Sequence, residues 1–597
     1  MQMTPHSLSD SRFWSIANYW FSQFHLISPQ AILHRLFGAG ALLIAALMVW
    51  MVTFLVLKGW AYLGRRRHTP TWYREPPNDN SGLVVIVHGW LGGTRSMREI
   101  AGVIETMKEY AGFGIFLWAF NGERFSNEDP EGIAHDLRTC IDELHEMCHG
   151  EVVLIGHSIG GLLVRRAYLE GMDESRSWSR LVSRIILLAA PNRGTRAIDR
   201  SKFLFLSDVI ARSCGVAKLI QGVYRGAPFV VNLRIDWIRR FQSMRNPPFV
   251  AQLIGAKDSK VSVLDSQDVV QFPSAKQKIL HNSNHESIIR SRESGADLRE
   301  ILRTPLEQHE HPPEDDNSVF KVLIAHGIRD YGDTFKEIAE VLSARGKRLN
   351  LAVVSDPSRY RYFSALEFVL PLARRAKMYD FADRYAQLLA EAPVHARINF
   401  VGHSFGTYLM LKSTDDYRAM EFDRAYLAGT VLHEDFFLAR DLLGSRVKCL
   451  RNDIATSDWP VGILCRALDG LWLARDIGTA GFNGFTGIAQ SERHVEIRYF
   501  NGGHGIALHP LNRPNIADWL FQDHGAPKFG VLDVKRELGG EKLVVTERAP
   551  FWIFFSKIAP SAVLVVFALI GLLLAAGERP GLVVCELLVV AWLLRII

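Results

Sequence analysis

The chain is poor in cysteine: six in 597 residues, at positions 140, 148, 214, 449, 465 and 585, with neither metal-ligand spacing nor a disulfide-like framework. That argues against a stapled fold and a cysteine-bound metal, and it suits a reducing compartment. An excess of either charge is also lacking, with 69 Lys and Arg against 63 Asp and Glu. A formal net charge of +6 is small for this length, and no Lys/Arg stripe with interleaved aromatics is present, so nucleic acid is not an expected partner. What remains is a globular balance, 48% hydrophobic and 22% charged, with a slightly positive mean hydropathy that points to extra apolar segments. The length allows roughly three or four domain-sized units.

The extra apolar sequence lies at the two ends. Leu36 to Leu57 carries no charge and is long enough to cross a hydrocarbon core of about 30 Å as a helix. It starts too late and runs too long for a cleaved signal peptide, and Lys58 and Arg65-Arg66-Arg67 follow it instead of a cleavage site. The aromatic-rich arm before it, Phe13 to Ile27, reads either as interfacial or as a poorly ordered arm. Ile558 to Ala576 is a second spanning candidate, Gly577-Glu578-Arg579-Pro580 a turn, and Gly581 to Ile597 a shorter return span holding Glu586 and Arg595. Basic residues follow the first span and precede the second (Lys535, Arg536, Lys542, Arg548, Lys557), which places the middle of the chain in the cytoplasm by the positive-inside rule.

Between the ends, the chain carries one constellation twice. Val152 to Gly161 ends an apolar strand in Gly156-His157-Ser158-Ile159-Gly160, the pattern G-x-S-x-G of a sharp strand-to-helix turn. Such a turn projects Ser158 from the sheet and leaves the Ile159 N–H at a helix N-terminus, where it can donate to an oxyanion. Leu83 to Val87 is a buried-strand run followed by His88-Gly89-Trp90-Leu91-Gly92-Gly93, where a second oxyanion donor is expected from the N–H of Trp90 or Leu91. Further strands at Arg184 to Ala190 and Phe249 to Ala256 precede Pro191-Asn192-Arg193-Gly194-Thr195 and Asp258. A histidine follows within His281 to Ser287; His285 is preferred to His281, and Asp258 to Asp265 or Asp268. His88 and His157 read as structural.

The second copy begins after a polar linker, Gln308 to Ser318. Phe320 to Ala325 leads to His326-Gly327-Ile328-Arg329, and Ile398 to Val401 leads to Gly402-His403-Ser404-Phe405-Gly406. Ile328 and Phe405 are the matching oxyanion positions. The base is His504, after the strand VEIRYF, and the acid is Asp458, with Asp453 as the alternative. Loop glycine to serine is spaced similarly in the two copies, but serine to acid is not, and Gly429-Thr430-Val431-Leu432-His433-Glu434-Asp435 replaces Pro-Asn-Arg-Gly-Thr. Duplication followed by divergence is the reading.

Alternating strands and helices with the chain order Ser, Asp, His resemble the α/β-hydrolase superfamily. Gly156 to Gly161 with Ala190 to Thr195 resembles its lipase and GPI-inositol-deacylase-like branch, over about Leu83 to Ile289. The resemblance implies Ser158 and Ser404 as nucleophiles, His285 and His504 as bases, Asp258 and Asp458 as their orienting acids, and no cofactor. The expected fold is α/β: two hydrolase units with mainly parallel sheets, a transmembrane helix and a transmembrane hairpin. Expected bounds are an arm at 1–35, a span at 36–57, units at 75–305 and 319–530, a linker at 306–318 and a hairpin at 550–597. The apolar, basic insertion at about 200–248 stands where lipases hold a cap; a packed helical layer is the other reading. The expected activity is hydrolysis of lipid or acyl esters at a membrane, with membrane lipids as partners. The alternatives are a retired tandem hydrolase serving as scaffold or sensor, and a thioester or amide hydrolase.

Overall fold

A computed structural model describes residues 48–59, 69–123, 126–195, 217–244, 246–267, 275–306, 319–328, 333–358, 364–392, 396–438, 440–469, 474–486, 495–522, 544–545, 551–562 and 565. The expected arm at 1–35 and return span at 581–597 lie outside these residues, as do almost all of the linker and most of the spans at 36–57 and 558–576. Among the described residues no helix is long and apolar enough to cross a membrane.

The chain forms two sheets. The first contains β1 (Thr71–Arg74), β2 (Gly82–Val87), β3 (Phe113–Trp118), β4 (Val152–His157), β5 (Val182–Leu188), β6 (Phe249–Gly255) and β7 (Lys276–Leu280), in the spatial order β1-β3-β2-β4-β5-β6-β7. Apart from the antiparallel β1–β3 pair, all its pairings are parallel. β2, GLVVIV, is buried along its whole length. Leu83, Val85 and Val87 enter one core, and Val84 and Ile86 the other. A parallel strand covered on both faces needs such a continuous apolar run. Helices Pro130–His145 and Ile159–Asp173 cover one face, Arg98–Glu105 and Ser291–Arg303 the other.

The second sheet contains β8 (Val319–Ala325), β9 (Ala352–Ser358), β10 (Arg397–His403), β11 (Phe422–Ala428), β12 (Val447–Ala455), β13 (Val495–Phe500) and β14 (Val544–Val545). Its order, β14-β13-β12-β11-β10-β8-β9, repeats the first strand for strand from β9 to β13 when read from the other edge. The units differ in their antiparallel edges. β1 extends the first sheet beyond β3, whereas β14 extends the second beyond β13.

The insertion expected as a cap is described from residue 217. Its helix Pro228–Ser243 is a shared wall: Phe229, Val230, Leu233 and Trp237 join the first core, and Val231 and Ile235 join the second. The first part of the insertion, 200–216, lies outside the described residues. Burial of Val231 and Ile235 contributes on the order of 1.5–3 kcal/mol each to holding the units together. Polar bonds reinforce the seam, where Asn232 accepts from the Ala419 N–H at 3.2 Å and Tyr417 donates to the Gly226 carbonyl at 2.6 Å.

Candidate active site

β4 passes into the helix Ile159–Asp173 through Ser158, whose backbone sits at φ 54°, ψ −125°. A non-glycine residue there stores strain of roughly 1–3 kcal/mol, which the surroundings must hold in place. They do so by crowding. A Cβ on Gly160 would lie 2.6 Å from the carbonyl oxygens of Val87 and His88, and one on Gly89 would lie 2.8 Å from the Ser158 Cβ. The Ser158 N–H donates to the Leu188 carbonyl at 2.9 Å, fixing the elbow to β5.

Three groups predicted from sequence meet at this elbow. Ser158 Oγ donates to His285 Nε2 at 2.9 Å, and His285 Nδ1 donates to Asp258 Oδ2 at 2.7 Å. Asp258 follows β6, and its other oxygen accepts the N–H groups of Lys260 and Val261 at 2.8 and 2.9 Å. Burial alone would raise the Asp258 carboxyl, but the bonds from His285 and these two N–H groups outweigh it and hold the group below the usual carboxylate range. Asp265, an alternative acid, is taken by Ser262 at 2.7 Å and Arg225 at 3.2 Å; Asp268 lies outside the described residues. His281 is exposed, and it is His285 that bonds both Asp258 and Ser158.

Two further histidines support the site. His157 Nε2 donates to the His285 carbonyl at 2.8 Å, and burial, with the neighbouring His285, pushes its imidazole down to about 4, so it stays neutral. His88 Nδ1 donates to the Gly89 carbonyl at 2.8 Å, while Nε2 accepts the Phe120 N–H at 3.2 Å. His88 thereby ties the glycine loop to the residues after β3. Of the two loop donors considered, the Leu91 N–H is already spent on the Gly122 carbonyl at 2.8 Å. The Trp90 N–H has no such partner among the described residues, and Ile159, at the first position of its helix, has none within that helix.

The second elbow reproduces the backbone: Ser404 sits at φ 53°, ψ −121° between β10 and the helix Phe405–Asp416, with its N–H on the Ala428 carbonyl at 2.9 Å. His504 Nδ1 donates to Asp458 Oδ2 at 2.7 Å, and the other Asp458 oxygen accepts the Val461 N–H at 3.0 Å. The alternative acid, Asp453, is consumed by Arg498 at 2.5 and 2.8 Å and by Tyr426 at 2.7 Å. His403 repeats His157, reaching the His504 carbonyl at 3.0 Å, and burial pushes its imidazole down to about 3. His326 repeats the His88 bond to the next carbonyl at 2.9 Å. Ile328 and Phe405 stand at the loop and helix start, matching Trp90 and Ile159. One link differs, since no hydrogen bond joins Ser404 to His504 among the described residues.

Among the described residues no cluster of His, Cys, Asp or Glu could hold a metal ion. The thiols of Cys140 and Cys148 are pushed up to about 12 and about 11 by burial, so neither is a reactive nucleophile at neutral pH.

Residues 79–212 match the family model described as the PGAP1-like alpha/beta domain. No curated protein matches the chain. Among solved structures, the Bacillus licheniformis lipase BlEst2 in propeptide form aligns at 16% identity and a TM-score of 0.32, over 41% of this chain and 56% of that one. The chain thus spans little more than half the length of that form. The mature form aligns at 16% identity and 0.29, over 39% of this chain and 98% of that one. The monoacylglycerol lipase of Paleococcus ferrophilus aligns at 17% and 0.28, over 39% and 96%. Over residues 79–212 the first unit is thus similar to the PGAP1-like alpha/beta domain, and its largely parallel sheet and strand-to-helix serine elbow give it an α/β fold.

Proposed function

We propose that the chain is a membrane-anchored serine hydrolase whose first unit cleaves carboxylic esters of lipids or other acyl compounds. The observation that carries the reading is the unbroken relay from Asp258 through His285 to Ser158, at 2.7 and 2.9 Å, on a strained elbow. Ser158 Oγ attacks the ester carbonyl as His285 Nε2 takes its proton, and Asp258 stabilises the imidazolium that forms. The N–H groups of Ile159 and Trp90 receive the oxyanion. Loss of one such donor typically costs on the order of 10²–10³ in turnover. The imidazolium then protonates the departing alcohol, and water, deprotonated by the same ring, releases the acid from the acyl-enzyme.

The lipid preference rests on the apolar runs at both ends, which would hold the sheets against a bilayer. The basic flanks put both units in the cytoplasm. The second unit is a duplicated hydrolase that has diverged; the missing link between Ser404 and His504 favours a scaffolding or latent role for it. The test is fluorophosphonate labelling of wild type, Ser158→Ala and Ser404→Ala, followed by a panel of short- and long-chain esters. Labelling that persists in Ser158→Ala and vanishes in Ser404→Ala would overturn the assignment. A reporter inserted near Pro313 that reads as extracytoplasmic would overturn the topology.

A further inference from the structure

The motif Pro191 to Thr195 has no place in the relay, and its side chains point to a separate role. Arg193 reaches out of the first unit to Asp383, on the helix Pro371–Ala390 of the second, at 3.0 Å. Arg225 and Arg234, also of the first unit, reach the same carboxylate at 2.6 and 2.9 Å. Asp383 is 8% exposed and Arg234 not at all. A buried carboxylate held by three guanidinium groups is a costly arrangement unless its geometry is well satisfied, and it fixes orientation more than it adds stability.

Two of these three arginines, Arg193 and Arg225, also hold the loop of the catalytic acid. Arg225 Nη1 reaches Asp265 Oδ1 at 3.2 Å, and the Arg193 N–H donates to the Asp265 carbonyl at 3.0 Å. Asp265 Oδ2 accepts from Ser262 Oγ at 2.7 Å, and Ser262 follows Val261, whose N–H holds Asp258 Oδ1 at 2.9 Å. A closed ring, Asp383 to Arg225 to Asp265 to Arg193 and back, therefore pins the far end of the segment whose near end aligns His285.

From this ring, which joins Asp383 of the second unit to the Asp258 loop of the first, we infer that Asp383 is a positioning residue for the Ser158 site. The second unit serves the first site as a buttress, whatever its own elbow does. The inference rests on the reading of Ser158 as nucleophile. Misplacement of a catalytic group by a fraction of an ångström lowers turnover without weakening substrate binding.

The experiment measures kcat and KM for ester hydrolysis by the full chain in Asp383→Asn, Asp383→Glu, Asp265→Asn and the double Asp383→Asn/Asp265→Asn. Glu421→Gln is the control; it breaks the ion pair with Arg239 (3.2 Å), which crosses the same seam without touching the acid loop. Expected is a kcat lowered by about ten- to a hundredfold in each single Asn variant, with KM unchanged. The double variant should fall no further than the lower single one, because both substitutions open one ring, and Asp383→Glu should recover part of the loss. A folded Asp383→Asn chain with full kcat would overturn the inference, as would an equal loss in Glu421→Gln. If Asp383→Asn does not fold, Asp265→Asn decides alone: full kcat overturns the inference, and a kcat-only loss supports it. Turnover that survives Ser158→Ala would instead overturn the underlying reading of the site, so the two failures are distinct.

Discussion

Ser158 and Ser404 occupy nearly the same backbone conformation, at φ 54°, ψ −125° and φ 53°, ψ −121°, yet the first hydroxyl bonds its histidine and the second does not. The surroundings account for part of the difference. His285 is 9% exposed and Asp258 receives two backbone N–H groups; His504 is 24% exposed and Asp458 receives one. A Cβ on Gly327 would lie 3.4 Å from Ser404 Oγ, which places that hydroxyl beside the glycine loop. The elbow is thus a property of the chain path, kept by close backbone approaches, while the relay depends on where the serine hydroxyl lies and on how closely its histidine is held. A fold can retain the first after relaxing the second.

The most damaging way to probe this contrast is serine removal. Ser158→Ala should lower ester turnover by about a thousandfold or more, whereas Ser404→Ala should leave it within about twofold. Equal losses in a steady-state assay would erase the distinction between the sites. If instead the elbows are matched as backbone, Gly160→Ala and Gly406→Ala should each destabilise the fold by about 3 kcal/mol, since each new Cβ meets main-chain oxygens that have no room to retreat. Urea midpoints check this; a tolerated Gly406→Ala would show that the second elbow is the looser one.

The supporting histidines supply a comparison in pH. The imidazoles of His157 and His403 are held down to about 4 and about 3, against an ordinary value of 6.5. Below pH 6.5 the unfolded chain takes up protons that the folded rings refuse, so stability falls as pH drops from 6.5 toward those values. Each ring should cost about 2–3 kcal/mol by pH 4.5. His157→Gln and His403→Gln should each flatten the stability curve by that amount, as read from denaturant midpoints at pH 7 and 4.5. Only below pH 4 should the two variants separate, with the His403 contribution still growing. The smallest effect is expected at the seam, where Ile235→Val should cost about 1 kcal/mol by thermal unfolding.

The sequence was most informative where chemistry and local path coincide. G-x-S-x-G, the strands ahead of Asp258 and His504, and the order Ser, Asp, His located both constellations because each depends on neighbours along the chain. Asp458 was separable from Asp453 only in three dimensions, where Arg498 and Tyr426 claim the latter. The Ser404 to His504 gap was not legible, because the residue types are those of the first site and only the placement of the hydroxyl and the ring differs. Nor was the Asp383 ring, whose members come from separate helices and loops. One signal for the seam did exist: FVVNLRIDWIRRF is apolar on more than one side, as a helix covered on several faces must be.

That shared helix also bears on synthesis. Val231 and Ile235 leave the ribosome long before Phe381 and Phe400 of the core they enter. At about 5–20 residues per second, the first unit spends roughly ten to thirty seconds with this stripe uncovered and its arginines lacking their carboxylate. Chaperone demand and aggregation should therefore peak in nascent or truncated chains that end before the helix Pro371–Ala390, even though every residue of the first relay is by then in place.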